Sequence, residues 1–247
     1  MSGSEPPVPA GGRPRVPLGV AGLDAMLRGG VPQGSVVLVT GLPGTGKTCL
    51  GLGFLAAGIR AAEPGLFLSL EEEAEMLLET ARQFGWPLDD AVARGTLQIH
   101  RLDPRETHQS LRRIQGSLGS DLRRIGPRRI VVDSVSLLEM LCDGEATRRE
   151  TLFALAGACR DVGATTLLIA EADPIHPEVT RDGLAEYVAD GVLVLGYSQT
   201  AEGRRVGLSV RILKMRRTDH VRSAQPYTFG RHGIEVDANA VDFGRFV

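Results

Sequence analysis

Short apolar runs rich in β-branched residues alternate with longer, more polar stretches along most of the chain. Residues 35–40 (SVVLVT), 66–70 (LFLSL), 97–100, 130–133 (IVVD) and 165–170 (TTLLIA) have the near-continuous apolar character of strands buried on both faces. Helices are predicted between them: from the Gly-rich turn after residue 40 to about residue 62, and over 71–84, 107–124 and 147–161. Residues 22–28 (GLDAMLR) predict a short amphipathic helix, stopped by Gly29-Gly30 and Pro32. Beyond Pro174 and Pro177 a short helix is expected, then strands at 192–195 and 206–214 with a polar turn at 199–204.

Strands that alternate with helices predict an α/β fold, with a mostly parallel central sheet flanked by helices on both faces. The last two strands, joined by a turn, predict antiparallel edge strands near the C-terminus. Residues 1–15 are rich in Pro, Gly and Ser without apolar period and are expected to be a flexible N-terminal tail. No internal repeat or linker divides the remainder, so 16–247 is taken as one domain.

Composition narrows the function classes. Of the 247 residues, 43% are hydrophobic and 23% charged, which suits a globular chain and argues against disorder. No apolar run is long enough to span a bilayer and no secretory leader is visible, so a cytoplasmic location without membrane contact is expected. The net charge of −2 provides no basic field for nucleic acid, and 4% aromatic residues offer few stacking platforms. Cys49, Cys142 and Cys159 lack metal-ligand spacing and are expected to be small core residues in a reducing compartment.

Among 28 basic residues only Lys47 and Lys214 are lysines. In so Arg-rich a chain, a retained lysine points to a place where a compact charge fits and a planar fork does not. Lys47 lies in Gly41-Leu42-Pro43-Gly44-Thr45-Gly46-Lys47-Thr48, which matches G-x-x-x-x-G-K-[ST] between a predicted strand and a predicted helix. The glycines let the backbone turn its N–H groups toward phosphate oxygens, and the helix start adds partial positive charge. Lys47 would reach the β- and γ-phosphates, and the Thr48 hydroxyl would ligate Mg²⁺. The expected nucleotide-binding set is therefore residues 41–48 together with Cys49.

Two further acidic sites follow. Asp133 closes the apolar strand in RRIVVDS, where a carboxylate beside the loop strand can hold metal-bound water; its bland alternative is a turn cap with Ser134. Glu71, Glu72 and Glu73 follow the strand LFLSL. Helix N-termini favour acidic residues, which accounts for Glu73 and Glu75, whereas Glu71 or Glu72 could orient or deprotonate an attacking water.

In this order the elements resemble the RecA-like P-loop ATPases, and specifically KaiC and its single-domain relatives. The resemblance covers residues 18–234. It rests on GVAGLDAMLRGGVPQG leading into the phosphate loop, LFLSLEE, Phe84-Gly85-Trp86, RRIVVDSVS, Thr147-Arg148-Arg149-Glu150 and GATT at 163–166. Lys214-Met215-Arg216-Arg217-Thr218-Asp219-His220 and Pro226-Tyr227 complete it. The resemblance implies ATP with Mg²⁺ bound between neighbouring subunits of a homo-oligomeric ring, a hexamer. It implies Glu71 and Glu72 as the catalytic carboxylate pair beside Lys47, and Asp133 with Thr48 at the metal. Lys214 and Arg216 would reach the adjacent subunit's nucleotide. Arg217 departs from the pattern, standing where many relatives have glycine. Where one KaiC domain carries adjacent phosphorylated Ser and Thr, this chain has Glu186 and Tyr187, which places it nearer the hydrolysing domain.

The leading expectation is thus an ATP-hydrolysing, ATP-dependent oligomeric switch that could answer to regulatory protein partners. The alternatives are a RadA-like recombination ATPase acting on DNA, disfavoured by the charge and the aromatic count, a serine/threonine (auto)kinase using the same ATP site, and a scaffold that binds ATP without turnover. Trp86 and Phe84 are expected to pack in the core. Arg123, Arg124, Arg128 and Arg129 are expected to form a solvated basic face, with a ring or nucleic-acid contact as the alternative.

Overall fold

The structure is a computed structural model, and it describes residues 13–102, 116–181, 183–199 and 206–240. The chain opens with β1 (Arg15–Val16), α1 (Ala21–Met26) and β2 (Val31–Pro32), then β3 (Val36–Gly41), α2 (Lys47–Arg60) and β4 (Gly65–Ser69). It continues through α3 (Ala74–Gln83), α4 (Leu88–Ala93), β5 (Leu97–Arg101), α5 (Leu118–Ile125), β6 (Arg129–Asp133) and α6 (Val135–Met140). Next come α7 (Gly144–Asp161), β7 (Thr165–Glu171), α8 (Leu184–Val188), β8 (Gly191–Gln199), β9 (Val206–Met215), β10 (Gln225–Gly230) and β11 (Gly233–Val236).

Among the described residues, nine strands form one sheet in the order β11-β10-β9-β8-β3-β7-β6-β4-β5. From β8 to β5 every pairing is parallel, and from β8 to β11 every pairing is antiparallel. The expected architecture is therefore present, with the loop strand β3 held between β7 and β8. Its side chains divide by parity. Val37 and Val39 join Leu50, Phe54 and Leu193 on one face, while Val36 and Leu38 join Leu138, Leu155 and Val192 on the other. Both faces are closed by helices, and each fully buried Val, Leu or Phe contributes about 1.5–3 kcal/mol.

Several boundaries differ from the sequence expectation. The helix predicted from residue 71 begins at Ala74, because the Ser69 hydroxyl donates to Glu72 O (2.6 Å) and accepts from Glu72 N–H (3.0 Å). That side-chain turn competes with helical pairing and leaves Glu71 and Glu72 in the connection. Glu73 is the extended residue preceding the helix, and Glu75 sits in its first turn. Two short helices, α4 and α6, were not expected. Helix α7 starts at Gly144, earlier than residue 147. Residues 103–115, which include the first half of the helix expected at 107–124, lie outside the described residues, as does most of the turn at 199–204. The described remainder is α5, stopped by Gly126 in the left-handed conformation (φ 66°).

Strands β10 and β11 extend the antiparallel edge beyond the two strands expected. Arg15, assigned to the tail, pairs with Pro32, and Pro14 O accepts Gln33 N–H at 2.8 Å; residues 1–12 lie outside the described residues. Cys142 and Cys159 are buried, whereas Cys49 is only partly so. Among the described residues no helix is long and apolar enough to cross a membrane.

Candidate functional site

Parallel strands present their carboxyl ends along one edge of the sheet, the usual location of ligands in open α/β folds. Here Gly41 ends β3, Ser69 ends β4, Asp133 ends β6 and Glu171 ends β7. The register places Gly41 beside Glu171, and Asp133 beside both Ser69 and Ile169. Residues distant in sequence therefore meet at this edge.

The connection from β3 to α2 is a tight cradle. Gly44 and Gly46 take φ of 80° and 82°, which side chains with a Cβ avoid. A Cβ on Gly46 would also lie 2.4 Å from the Phe229 ring. The Thr45 hydroxyl donates to Leu42 O at 2.8 Å. Two tyrosines tie the cradle to the antiparallel strands: Tyr197 donates to Pro43 O at 3.0 Å, and the buried Tyr227 hydroxyl donates to Thr45 O. Helix α2 has neither a side-chain cap nor an acidic residue in its first turn. Its uncapped N–H groups and dipole therefore remain suited to an anion.

The Lys47 side chain is 8% exposed. Its ammonium donates to Gly41 O (2.9 Å) and Leu42 O (3.2 Å), and lies 2.9 Å from Glu171 Oε1. One residue on, the Thr48 hydroxyl donates to Asp133 Oδ2 at 2.7 Å. Burial pushes the Asp133 carboxyl up to about 6; the Thr48 hydrogen bond opposes this, Glu71 and Glu72 add to it, and Lys47 opposes it. A hydroxyl and a carboxylate side by side are hard oxygen donors, the chemistry that Mg²⁺ prefers. Among the described residues no group of three or more His, Cys, Asp or Glu could hold a metal. The pair thus fits a cation that also takes oxygens from its substrate and from water.

Glu71 Oε1 accepts the Ser134 hydroxyl at 2.6 Å, which brings it to the end of β6. Burial raises the Glu72 carboxyl above its ordinary value, and the charge of Glu71 raises it further. Gly41, Leu42, Pro43, Gly44, Thr45, Gly46, Lys47, Thr48, Asp133, Glu71 and Glu72 are thus gathered at one edge. Cys49, in the first turn of α2, has a thiol raised by burial and by Glu72.

Lys214 and Arg216 are not brought there. Lys214 pairs with Val192, which pairs with Leu38, three residues or about 10 Å along the strand from Gly41. Its ammonium donates to Glu186 O at 2.8 Å, and burial and Arg216 lower its pKa. Arg216 follows β9 at the amino edge, 3.7 Å from Asp190 Oδ1. Asp190 is buried. Burial pushes its carboxyl up, but the Val36 N–H, Arg160 and Arg217 outweigh that and hold it below the usual carboxylate range.

A family model described as "ATPase: KaiC" matches residues 16–241. The chain belongs to the KaiC family. The "Circadian clock oscillator protein KaiC" of Parasynechococcus marenigrum (strain WH8102) is 32% identical over 232 residues, 90% of this chain and 44% of that protein. Its namesake in Synechococcus elongatus (strain ATCC 33912 / PCC 7942 / FACHB-805) is 33% identical over 224 residues, 88% of this chain and 43% of that protein. The chain spans under half the length of these curated relatives. The crystal structure of the KaiC-like protein PH0186 from Pyrococcus horikoshii OT3 superposes with a TM-score of 0.79 at 32% identity. That match covers 91% of this chain and 99% of the archaeal one, so the fold of this KaiC-family chain is RecA-like along nearly its whole length.

Sequence reasoning missed three residues of this edge. Glu171 ends a predicted strand one residue past its assigned boundary, and the argument made for Asp133 would have found it. Tyr197 gave no local signal and Tyr227 entered only as part of the resemblance, with no site role, because their role comes from the folding of the antiparallel edge over the cradle.

Proposed function

We propose that this chain binds ATP with Mg²⁺ and hydrolyses it, and that a second copy completes each site within a homo-oligomeric ring, a hexamer. The Gly41–Gly46 backbone and the start of α2 receive the phosphates, and Lys47 exchanges its present oxygen partners for the β- and γ-phosphates. Thr48 and Asp133 hold the metal, which neutralises phosphate charge when bound. Glu72 draws a proton from the attacking water, and Glu71 holds its position through Ser134.

The observation that carries the assembly is the placement of cations at opposite edges of one sheet. Lys47 stands at the carboxyl edge, and Lys214 and Arg216 at or beyond the amino side of β9's pairing with β8. A neighbour turned the same way can bring its Lys214 and Arg216 to this chain's phosphates, a head-to-tail contact that closes as a ring. Nucleotide at such a border stabilises the ring, and hydrolysis alters it, which makes the assembly a switch open to protein partners.

Native mass spectrometry with and without ATP, paired with phosphate-release kinetics, tests this. The expected result is a ring carrying one nucleotide per subunit, with phosphate released. A monomer with bound, unhydrolysed ATP would contradict both the assembly and the turnover.

A further inference from the structure

The amino edge of the sheet carries a cavity of about 610 Å³, on the far side from the phosphate cradle. Four guanidiniums line it from four separate elements: Arg13 before β1, Arg128 before β6, Arg160 in the last turn of α7, and Arg217 after β9. One carboxylate, Asp190, lines it with them. Asp190 is engaged by Arg160 at 3.3 Å and Arg217 at 3.3 Å, with Arg216, the residue assigned above to the neighbour's phosphates, 3.7 Å away, and it also accepts Val36 N–H at 3.1 Å. Arg13 and Arg128 have no ion pair among the described residues, and both are exposed. The cavity is therefore strongly positive, with one negative charge already shared among its cations.

Its rim is fixed by the backbone. Arg128 is held at both ends of its peptide, by Arg128 N–H to Pro64 O (2.8 Å) and Thr165 N–H to Arg128 O (2.9 Å). Gly34 N–H donates to Thr165 Oγ1 at 3.0 Å, and Gln33 N–H to Pro14 O at 2.8 Å. Gly34 and Gly163 both have positive φ, 73° and 70°, so the wall between them has no side chain projecting into it. A concavity of this size suits a small ligand. Planar guanidiniums that line one cavity from several elements favour phosphate oxygens, which can accept two N–H bonds from one fork.

We propose that this cavity is a second anion site, separate from the cradle, that binds a compact polyphosphate such as an inorganic tripolyphosphate chain or the polyphosphate group of a small molecule. Two or more linked phosphoryl groups match several cations better than one carboxylate does, because Asp190 already offers a single carboxylate there.

The test is calorimetric titration of inorganic tripolyphosphate into the full-length Lys47→Ala chain, where the cradle has lost its cation. A second titration uses the same chain carrying Arg13→Ser and Arg128→Ser. Both replaced arginines are exposed and hold no ion pair among the described residues, so thermal melts of the two proteins should coincide. The expected result is saturable one-to-one binding to the Lys47→Ala chain, weakened at least tenfold by the two serines. Absent binding, or binding that the serines leave unchanged, overturns the proposal. Titration with orthophosphate distinguishes the ligand class: affinity equal to that of tripolyphosphate overturns the assignment to linked phosphates.

Discussion

The Lys47 ammonium and the Glu171 carboxylate lie 2.9 Å apart at the adjoining ends of two paired strands. Glu171 thus occupies an ammonium that a terminal phosphate would need. A phosphate must share or displace it, and the carboxylate repels the incoming charge. Glu171→Gln keeps a hydrogen-bond acceptor and removes that repulsion. Because Glu171 is one-third exposed, solvent screens the pair and the effect stays near 1 kcal/mol or below, up to about fivefold tighter ATP binding. Calorimetry on the purified variant measures it, and unchanged or weaker binding would show that Glu171 does not compete.

Asp133 predicts a pH dependence. Its carboxyl is raised by burial to about 6, so in the folded chain it becomes protonated as pH falls through that value. A proton there competes with the metal, so Mg²⁺-dependent ATP affinity should fall below about pH 6, and Asp133→Asn should remove both the affinity and its pH dependence. Without ligand the sign is opposite. A raised carboxyl contributes stability that is fully present below its unfolded value of 3.8 and lost as pH rises through about 6. At pH 8 the Asn variant should therefore melt higher without ligand, by on the order of 1–3 kcal/mol of stability. Melts at pH 5 and pH 8 check this; a variant less stable at pH 8 would contradict it.

Glu72 predicts a split between binding and turnover. Burial and Glu71 raise its carboxyl, bringing it toward the pKa of a useful base at neutral pH. Glu72→Gln should lower the hydrolysis rate about 10²-fold or more and leave ATP affinity within about threefold. Single-turnover phosphate release and equilibrium binding give the two numbers. Equal losses in both would assign Glu72 to binding instead of proton transfer.

The readability of this molecule in its sequence depended on locality. Residues 41–48 are contiguous, and glycine, lysine and hydroxyl at fixed spacing each had a separate physical reason, so the cradle was visible without the fold. Asp133 was visible because an apolar strand ended in an acid. Glu171 ends its strand in the same way but was cut off by a boundary placed one residue early. The helix start was misplaced because Glu71–Glu73 resembled a helix N-terminus, whereas the Ser69 hydroxyl takes both Glu72 backbone groups and holds the acids outside the helix. Strands β10 and β11 were missed because β10 contains Pro226 and alternates only weakly, with half-exposed positions typical of an edge. The separation of Lys214 from Lys47 could not be read from spacing at all. It follows from β9 running antiparallel to β8, which sends Arg216 toward the edge opposite the cradle.

That separation is tested most directly by mixing two inactive proteins. Lys47→Ala lacks the cradle cation but retains Arg216, and Arg216→Ala has the reverse defect. If a neighbour completes each site, an equimolar mixture regains hydrolysis, because borders form in which an intact cradle faces an intact Arg216. Random mixing in a head-to-tail ring gives about a quarter of the wild-type rate per site. A mixture no more active than either variant alone, under conditions where the two assemble together, would contradict the shared site.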